Sequence, residues 1–366
     1  MPGRDLHSKP FSEETKTKLA IFESYAREWL PTFIMSKAET LCIFDFFAGT
    51  GYDQCGVPGS TIRILQEISK QTGLIFKNRT KIHFYINEFD QRKFSQLKEA
   101  CENFLVKHPD MVRAKVELHF FNKDFEELYD ELEPQIGKNP SLVYLDQNGV
   151  KFTSDKYFLG ISSKPTTDFL YYISSSYIIR FGQTKEFKSV LNVDVNKLHE
   201  RPYKYVHQAI LEYLRGKLPK DSNVRLYPFT IKKNANVYGI VFGASHERAV
   251  DKFLKTAWAI NEINGLANFD IDDDVSKAQG LLFGERPLTK IEAFQKNLRE
   301  NILSGKIKNN LEAFRYTLEE GHLGSHAMAE IKKMKKEGLL DYDAKSPKVN
   351  YDSAIKNKEI VTYKVK

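Results

Sequence analysis

The residues best suited to chemistry lie in Asp45-Phe46-Phe47-Ala48-Gly49-Thr50-Gly51-Tyr52-Asp53, where the apolar run Cys42-Ile43-Phe44 enters a glycine-rich turn. Gly49 and Gly51 can take backbone angles closed to other residues, and with Ala48 they leave room for a ligand against the main chain. Asp45 and Asp53 bracket the turn with acceptors for hydroxyls or a charged amine. A short aromatic-rich strand entering such a turn is the layout of a nucleotide-type cofactor site at the carboxyl end of a parallel strand. The third glycine of the dinucleotide fingerprint is missing. The competing reading is an ordinary glycine turn after a core strand.

Three further carboxylates fall where a parallel sheet would bring them to the same edge. Ile82-His83-Phe84-Tyr85-Ile86 reads as a strand ending at Asn87-Glu88, Val116-Glu117-Leu118-His119-Phe120 as one stopping at Asn122-Lys123-Asp124, and Ser141-Leu142-Val143-Tyr144-Leu145 as one ending at Asp146-Gln147-Asn148-Gly149. Helical spacing separates them: Ile62, Leu65 and Ile68, then Asp90 to Val106, then a short segment and a proline. Strands alternating with helices, each strand finishing on a carboxylate, predict right-handed crossovers and a ligand beyond the strand ends. A fifth strand, Phe169–Ile173, a helix near Tyr205 to Leu214, and a hairpin of Arg225–Ile231 with Val237–Phe242 follow. An antiparallel hairpin closing five parallel strands is the inventory of a methyltransferase-like sheet. The helix from Glu247 to Ile263 is read as completing that domain. Leu19, Phe22, Tyr25, Ala26, Trp29, Leu30 and Phe33 form an N-terminal amphipathic helix that packs on it.

Beyond an acidic linker the pattern changes. Asp270-Ile271-Asp272-Asp273-Asp274 lacks the glycine and terminal glutamate of a calcium loop, with Val275 and Leu281 at those places, and reads as a solvated link. Helical segments at Lys290–Leu303, Lys306–Glu320 and Ser325–Lys336, followed by extended runs near Val349–Tyr351 and Ile360–Val365, predict a winged helix-turn-helix. Lys332, Lys333, Lys335 and Lys336 make its third helix basic and suited to phosphates, although Glu319, Glu320, Glu330 and Glu337 oppose this. His322 and His326 share a spacing of four without a third ligand and read as turn and cap residues, so no metal is assigned.

The fold class expected is α/β: residues 1–35 an N-terminal helix, 36–268 a Rossmann-like methyltransferase-type domain, 269–287 a linker and 288–366 a winged helix. The net charge of +7 favours polyanionic partners such as DNA or RNA. Cys42, Cys55 and Cys101 form neither a disulfide framework nor a metal knuckle, and no stretch has the length or apolarity of a membrane span. A soluble, cytoplasmic protein without a membrane partner is expected.

The Asp45 to Gly51 turn resembles the first motif of class I S-adenosylmethionine-dependent methyltransferases. The whole chain resembles the three-Cys-motif partner proteins, a bacterial and phage-associated group with a methyltransferase-like domain followed by a winged helix. The likeness is carried by Tyr25 and Trp29, the turn from Asp45 to Asp53, Gly59-Ser60, Leu145-Asp146 with Gly149, and Tyr238 to Ala244. It implies S-adenosylmethionine as cofactor and a radical-SAM-like partner, which holds the three cysteines that name the family; those here are not that motif. Family members tend to follow the fourth-strand aspartate with proline, an aromatic and glycine. Here Gln147 and Asn148 stand there, which makes methylation of a base amine less favoured.

On the methyltransferase reading, Gly49 and Gly51 approach the methionine moiety, and Asp45 meets its ammonium directly or through water. Glu88 takes the ribose hydroxyls, Asp124 the adenine amine, and Asp146, with Gln147 and Asn148, faces the transferred methyl group. The bland alternative for Glu88 and Asp124 is capping of the following helix. Two other readings stand beside it: a non-catalytic scaffold that brings the partner to nucleic acid, and, more weakly, a magnesium nuclease, for which no lysine-bearing motif is present.

Overall fold

The computed structural model describes residues 10–147, 154–184, 194, 196, 198, 200–279 and 286–366. The chain forms two compact units, Met1–His246 and Glu247–Lys366.

The first unit is built on a seven-stranded sheet in the order β3-β2-β1-β4-β5-β7-β6. β1 (Thr40–Asp45), β2 (Lys81–Asn87), β3 (Val116–Phe121), β4 (Ser141–Leu145) and β5 (Thr167–Ile173) are parallel, and β7 (Asn236–Ala244) lies antiparallel between β5 and β6 (Arg225–Lys233). β1 and β4 are the central pair, and buried apolar residues run almost unbroken along them because both faces are covered. The chain reverses order between β1 and β4, which opens a crevice at their carboxyl ends.

Helix α1 (Glu13–Met35) seals one face. Phe22 stacks on Tyr144 at 3.9 Å, Tyr25 packs edge-on against Phe242, and the Tyr25 hydroxyl donates 2.7 Å to buried Asp168. α2 (Ser60–Ser69), α3 (Thr72–Asn78), α4 (Gln91–Lys107) and α5 (Pro109–Arg113) lie between β1 and β3 in sequence. α6 (Phe125–Leu132) and α7 (Asp155–Ser162) contribute Phe125, Tyr129, Tyr157 and Phe158 to an aromatic cluster around Phe46 and Phe169. α8 (Ser175–Phe181) and α9 (Val206–Lys217) follow β5, α9 burying His207 against the Ile240 carbonyl.

The second unit begins with α10 (Glu247–Ile260). The sequence pattern assigns this helix to the first domain, but Trp258 donates to the Gly321 carbonyl and Glu247 pairs with Arg315, both in the second unit. The acidic run also differs from a solvated link: Asp270 accepts the amides of Asp274 and Val275 and so caps α11 (Asp274–Gln279), and Asp274 is buried. α12 (Lys290–Leu303), α13 (Asn310–Glu319) and α14 (Gly324–Lys336) are the three helices of the winged helix. Its small sheet pairs β8 (Leu340–Asp341) with β9 (Lys364–Val365). The expected strand at Val349–Tyr351 does not form; Val349 is buried and the chain turns helical at Asp352–Lys356.

Candidate cofactor crevice and basic helix

At the end of β1 the turn is fastened to the neighbouring strand end by its backbone amides. Gly49 has φ +69° and donates its amide to Glu88 Oε2 at 2.9 Å, while the Ala48 amide donates to the Asn87 carbonyl. The other Glu88 oxygen accepts the Asp90 amide, in the loop that opens α4. Asn87, which sequence reading passed over, is buried and joins three elements: its Nδ2 donates to the carbonyls of Phe46 and Lys123, and its Oδ1 accepts the Lys123 amide. Asn122 donates to the Glu88 and Phe89 carbonyls, which ties the third strand end to the second. The structure thus gathers Ala48, Gly49, Glu88 and the Asn122-Lys123-Asp124 bend at one edge of the sheet.

The remaining expected site residues have other partners. Asp45 is 1% exposed and accepts from Ser60 at 2.6 Å and Thr61 at 3.0 Å, which locks β1 to the first turn of α2. Burial pushes its carboxyl up to about 6, against the two hydroxyl donors. Asp53 accepts the amides of Phe11, Cys55 and Val57; burial works against its charge, but these amides hold it below the usual carboxylate range. It closes its own loop rather than the crevice. Asp124 accepts the Glu126 amide as the N-cap of α6, the capping alternative, with one oxygen engaged in that bond. Gly51 has φ +84°, and a Cβ there would stand 3.0 Å from Ala100 Cβ on α4, so its missing side chain admits a helix and leaves no space for a ligand on that side.

At the end of β4, Asp146 is bound by a residue absent from the sequence reading, Lys18 of α1, at 2.6 Å. The Lys18 ammonium also lies 4.3 Å from the centre of the Tyr172 ring, and the Tyr144 hydroxyl is 3.4 Å from Asp146. Gln147 is 1% exposed; its amide nitrogen is 3.5 Å from the Tyr172 carbonyl, and its Oε1 is buried without a hydrogen-bond partner. Asn148 lies outside the described residues, as does Gly149. Nothing in the sequence pairs a lysine in an N-terminal helix with a strand-end aspartate; only the packing of α1 across the sheet does so.

On α14, Lys332, Lys333, Lys335 and Lys336 are all exposed. Lys335 is engaged by Asp341 at 2.7 Å and lies over the Tyr342 ring. The acidic neighbours are engaged as well, because Arg299 takes both Glu330 and Glu337. Lys332, Lys333 and Lys336 have no ion pair among the described residues. His322 is buried and stacks on Phe294 at 4.1 Å, whereas His326 is half-buried and accepts the Leu323 amide at the start of α14, the cap role read from sequence; burial and then nearby Lys290 lower the two to about 2 and about 4.

The first unit has a Rossmann-like, methyltransferase-type fold, and a winged helix follows it. Residues 269–347 match the GMT-like wHTH domain family. The chain is also similar to a solved structure of Trm1 from Pyrococcus horikoshii in complex with S-adenosyl-L-methionine, at 9% identity and a TM-score of 0.38, over 91% of this chain and 88% of that one. No curated protein matches it. No helix among the described residues is long and apolar enough to cross a membrane.

The strand-end crevice keeps acceptor capacity suited to the hydroxyls of a nucleoside-type ligand. A carboxylate offers about four lone-pair positions, so Glu88 can accept hydroxyls in addition to its two amides. Phe89, next to it, is 69% exposed and presents a free aromatic face. The fit at the methionine end is different from that expected: Asp45 is too deeply buried to meet an ammonium directly, and Gly51 faces α4.

Proposed function

We propose that this chain is an S-adenosylmethionine-binding methyltransferase that acts on or near nucleic acid, with the winged helix as its recognition element. The observation that carries this reading is the 2.9 Å contact between the Gly49 amide and Glu88, which sets a solvent-reaching carboxylate against the glycine turn at the switch point of the sheet. When bound, the cofactor supplies an electrophilic methyl group. Glu88 holds the ribose hydroxyls, Phe89 stacks on the adenine, and the free oxygen of Asp124 receives the adenine amine. Gly49 lets the main chain approach the methionine portion. Asp45 acts at one remove, by fixing the turn through Ser60 and Thr61. Asp146, oriented by Lys18, is the acid nearest the methyl acceptor, beside the Gln147-Asn148 loop assigned there from sequence, and transfer to nitrogen or oxygen needs chiefly alignment, with one base to take the acceptor's proton.

The exposed cations Lys332, Lys333 and Lys336 support nucleic-acid contact by α14. The family this reading favours is that of the three-Cys-motif partner proteins, with a radical-SAM-like partner, a cytoplasmic location and a role in phage defence or mobile elements. A second reading, a non-catalytic scaffold for that partner, is favoured by the Lys18–Asp146 pair, which already engages the acid nearest the acceptor position.

Methyl transfer from labelled S-adenosylmethionine to DNA, RNA and co-expressed partner protein tests the choice. Label incorporation that is lost in Glu88→Ala supports the enzyme; cofactor binding without incorporation into any acceptor supports the scaffold. The salt dependence of nucleic-acid binding tests the recognition element. Each of Lys332→Ala, Lys333→Ala and Lys336→Ala is expected to lower the log–log salt slope by about 1. Unchanged slopes in all of them remove α14 from the interface.

A further inference from the structure

Parallel pairing of β2 and β3 brings together three side chains that lie far apart in the sequence. His83 stands in register with Glu117, and His119 follows two residues later on the same face. His83 Nδ1 lies 3.0 Å from His119 Nε2 and 3.4 Å from Glu117 Oε2, and all three donor atoms fall within 4.8 Å of one another. Bonds of about 2.0–2.1 Å to zinc place tetrahedral ligands roughly 3.3 Å apart, so two of these separations already match the edge of such a site. We propose that His83, His119 and Glu117 bind a divalent transition-metal ion of the zinc class, with solvent completing the coordination.

The rings are held before any ion arrives. Tyr85 stacks on His119 at 4.7 Å and on Phe44 at the same distance from its other side, and Phe44 is fully buried in β1. The imidazoles are therefore part of an aromatic stack anchored in the core. The donors themselves remain accessible: both histidines are half-buried and the Glu117 side chain is 54% exposed. Two imidazoles and one carboxylate form a donor set suited to zinc and its borderline neighbours, and less suited to calcium or magnesium, which prefer oxygen ligands. The site lies along the strands, away from the carboxyl-end crevice, and does not depend on the methyltransferase reading.

The test is equilibrium dialysis of the chelator-stripped full chain against zinc, together with the visible absorption of the cobalt(II) form. One equivalent of zinc and the absorption bands of a four-coordinate cobalt centre are expected. His83→Ala and His119→Ala should each weaken binding by at least the roughly 10- to 100-fold that loss of a mere supporting partner costs. Glu117→Gln keeps the shape of an exposed side chain, so it should weaken binding without affecting the circular dichroism of the metal-free protein. The proposal is overturned if no zinc is bound, which would make the 3.0 Å contact a hydrogen bond between two imidazoles. It is also overturned if an equivalent is bound with the same affinity in His83→Ala and His119→Ala, or if its affinity is unchanged in Glu117→Gln.

Discussion

The ammonium of Lys18 lies 2.6 Å from the carboxylate of Asp146, joining the first helix to the end of the fourth strand across 128 residues of chain. Both side chains are mostly buried, at 13% and 15% exposure, so either left alone would be a poorly solvated charge. Lys18→Met and Asp146→Asn are each expected to lower stability in urea by about 1–3 kcal/mol, below the cost for a fully buried pair. The double variant should recover part of that loss. If the two single losses add without coupling, the pair is not a stabilising interaction.

Asp168 gives stability a separate pH signature. Burial raises its carboxyl from an ordinary 3.8 to about 7, although the Tyr25 hydroxyl opposes the shift. Between those values the native state binds more protons than the unfolded chain, so this group's penalty on stability shrinks as pH falls through the window. The slope is about 1.4 kcal/mol per pH unit at most. Asp168→Asn removes the titration, and its stability relative to wild type should therefore decline as pH is lowered from 8 to 5. A difference that stays constant over that range contradicts the assignment.

Gly51 is required by packing against α4. Gly51→Ala combines a left-handed backbone angle of +84° with a Cβ 3.0 Å from Ala100 Cβ. A loss of roughly 1–3 kcal/mol is expected from these two effects. Adding Ala100→Gly relieves the contact but not the backbone strain, so recovery in a thermal melt should be partial. Full tolerance of Gly51→Ala would show that the turn relaxes.

These cases indicate what the sequence could and could not disclose. The parallel strands were legible because apolar runs of five or six residues ended on polar clusters and alternated with helical spacing. The hairpin was legible from two such runs around Asn234-Ala235, now seen as a tight turn with Asn234 at φ 53°. The turn at Gly49 could be read locally. The partners of its acids could not, because Asp45 with Ser60 and Thr61, and Asp146 with Lys18, are set by how helices cross the sheet. The His83, Glu117 and His119 group escaped for the same reason: its ligands share a face only once β2 and β3 pair in register. The wing was misplaced because Val349 is apolar for burial beneath the domain and not for strand pairing.

The most direct test of the crevice is calorimetric titration of the full chain with S-adenosylmethionine and S-adenosylhomocysteine, beside Glu88→Gln and Asp53→Asn. Glu88→Gln retains one oxygen for the Gly49 amide but loses the charged acceptor for ribose hydroxyls, whereas Asp53 serves its own loop. The account predicts binding at roughly micromolar Kd or tighter, weakened at least about tenfold in Glu88→Gln and little changed in folded Asp53→Asn. Absence of binding to the folded wild-type chain, or equal binding by Glu88→Gln, would contradict it.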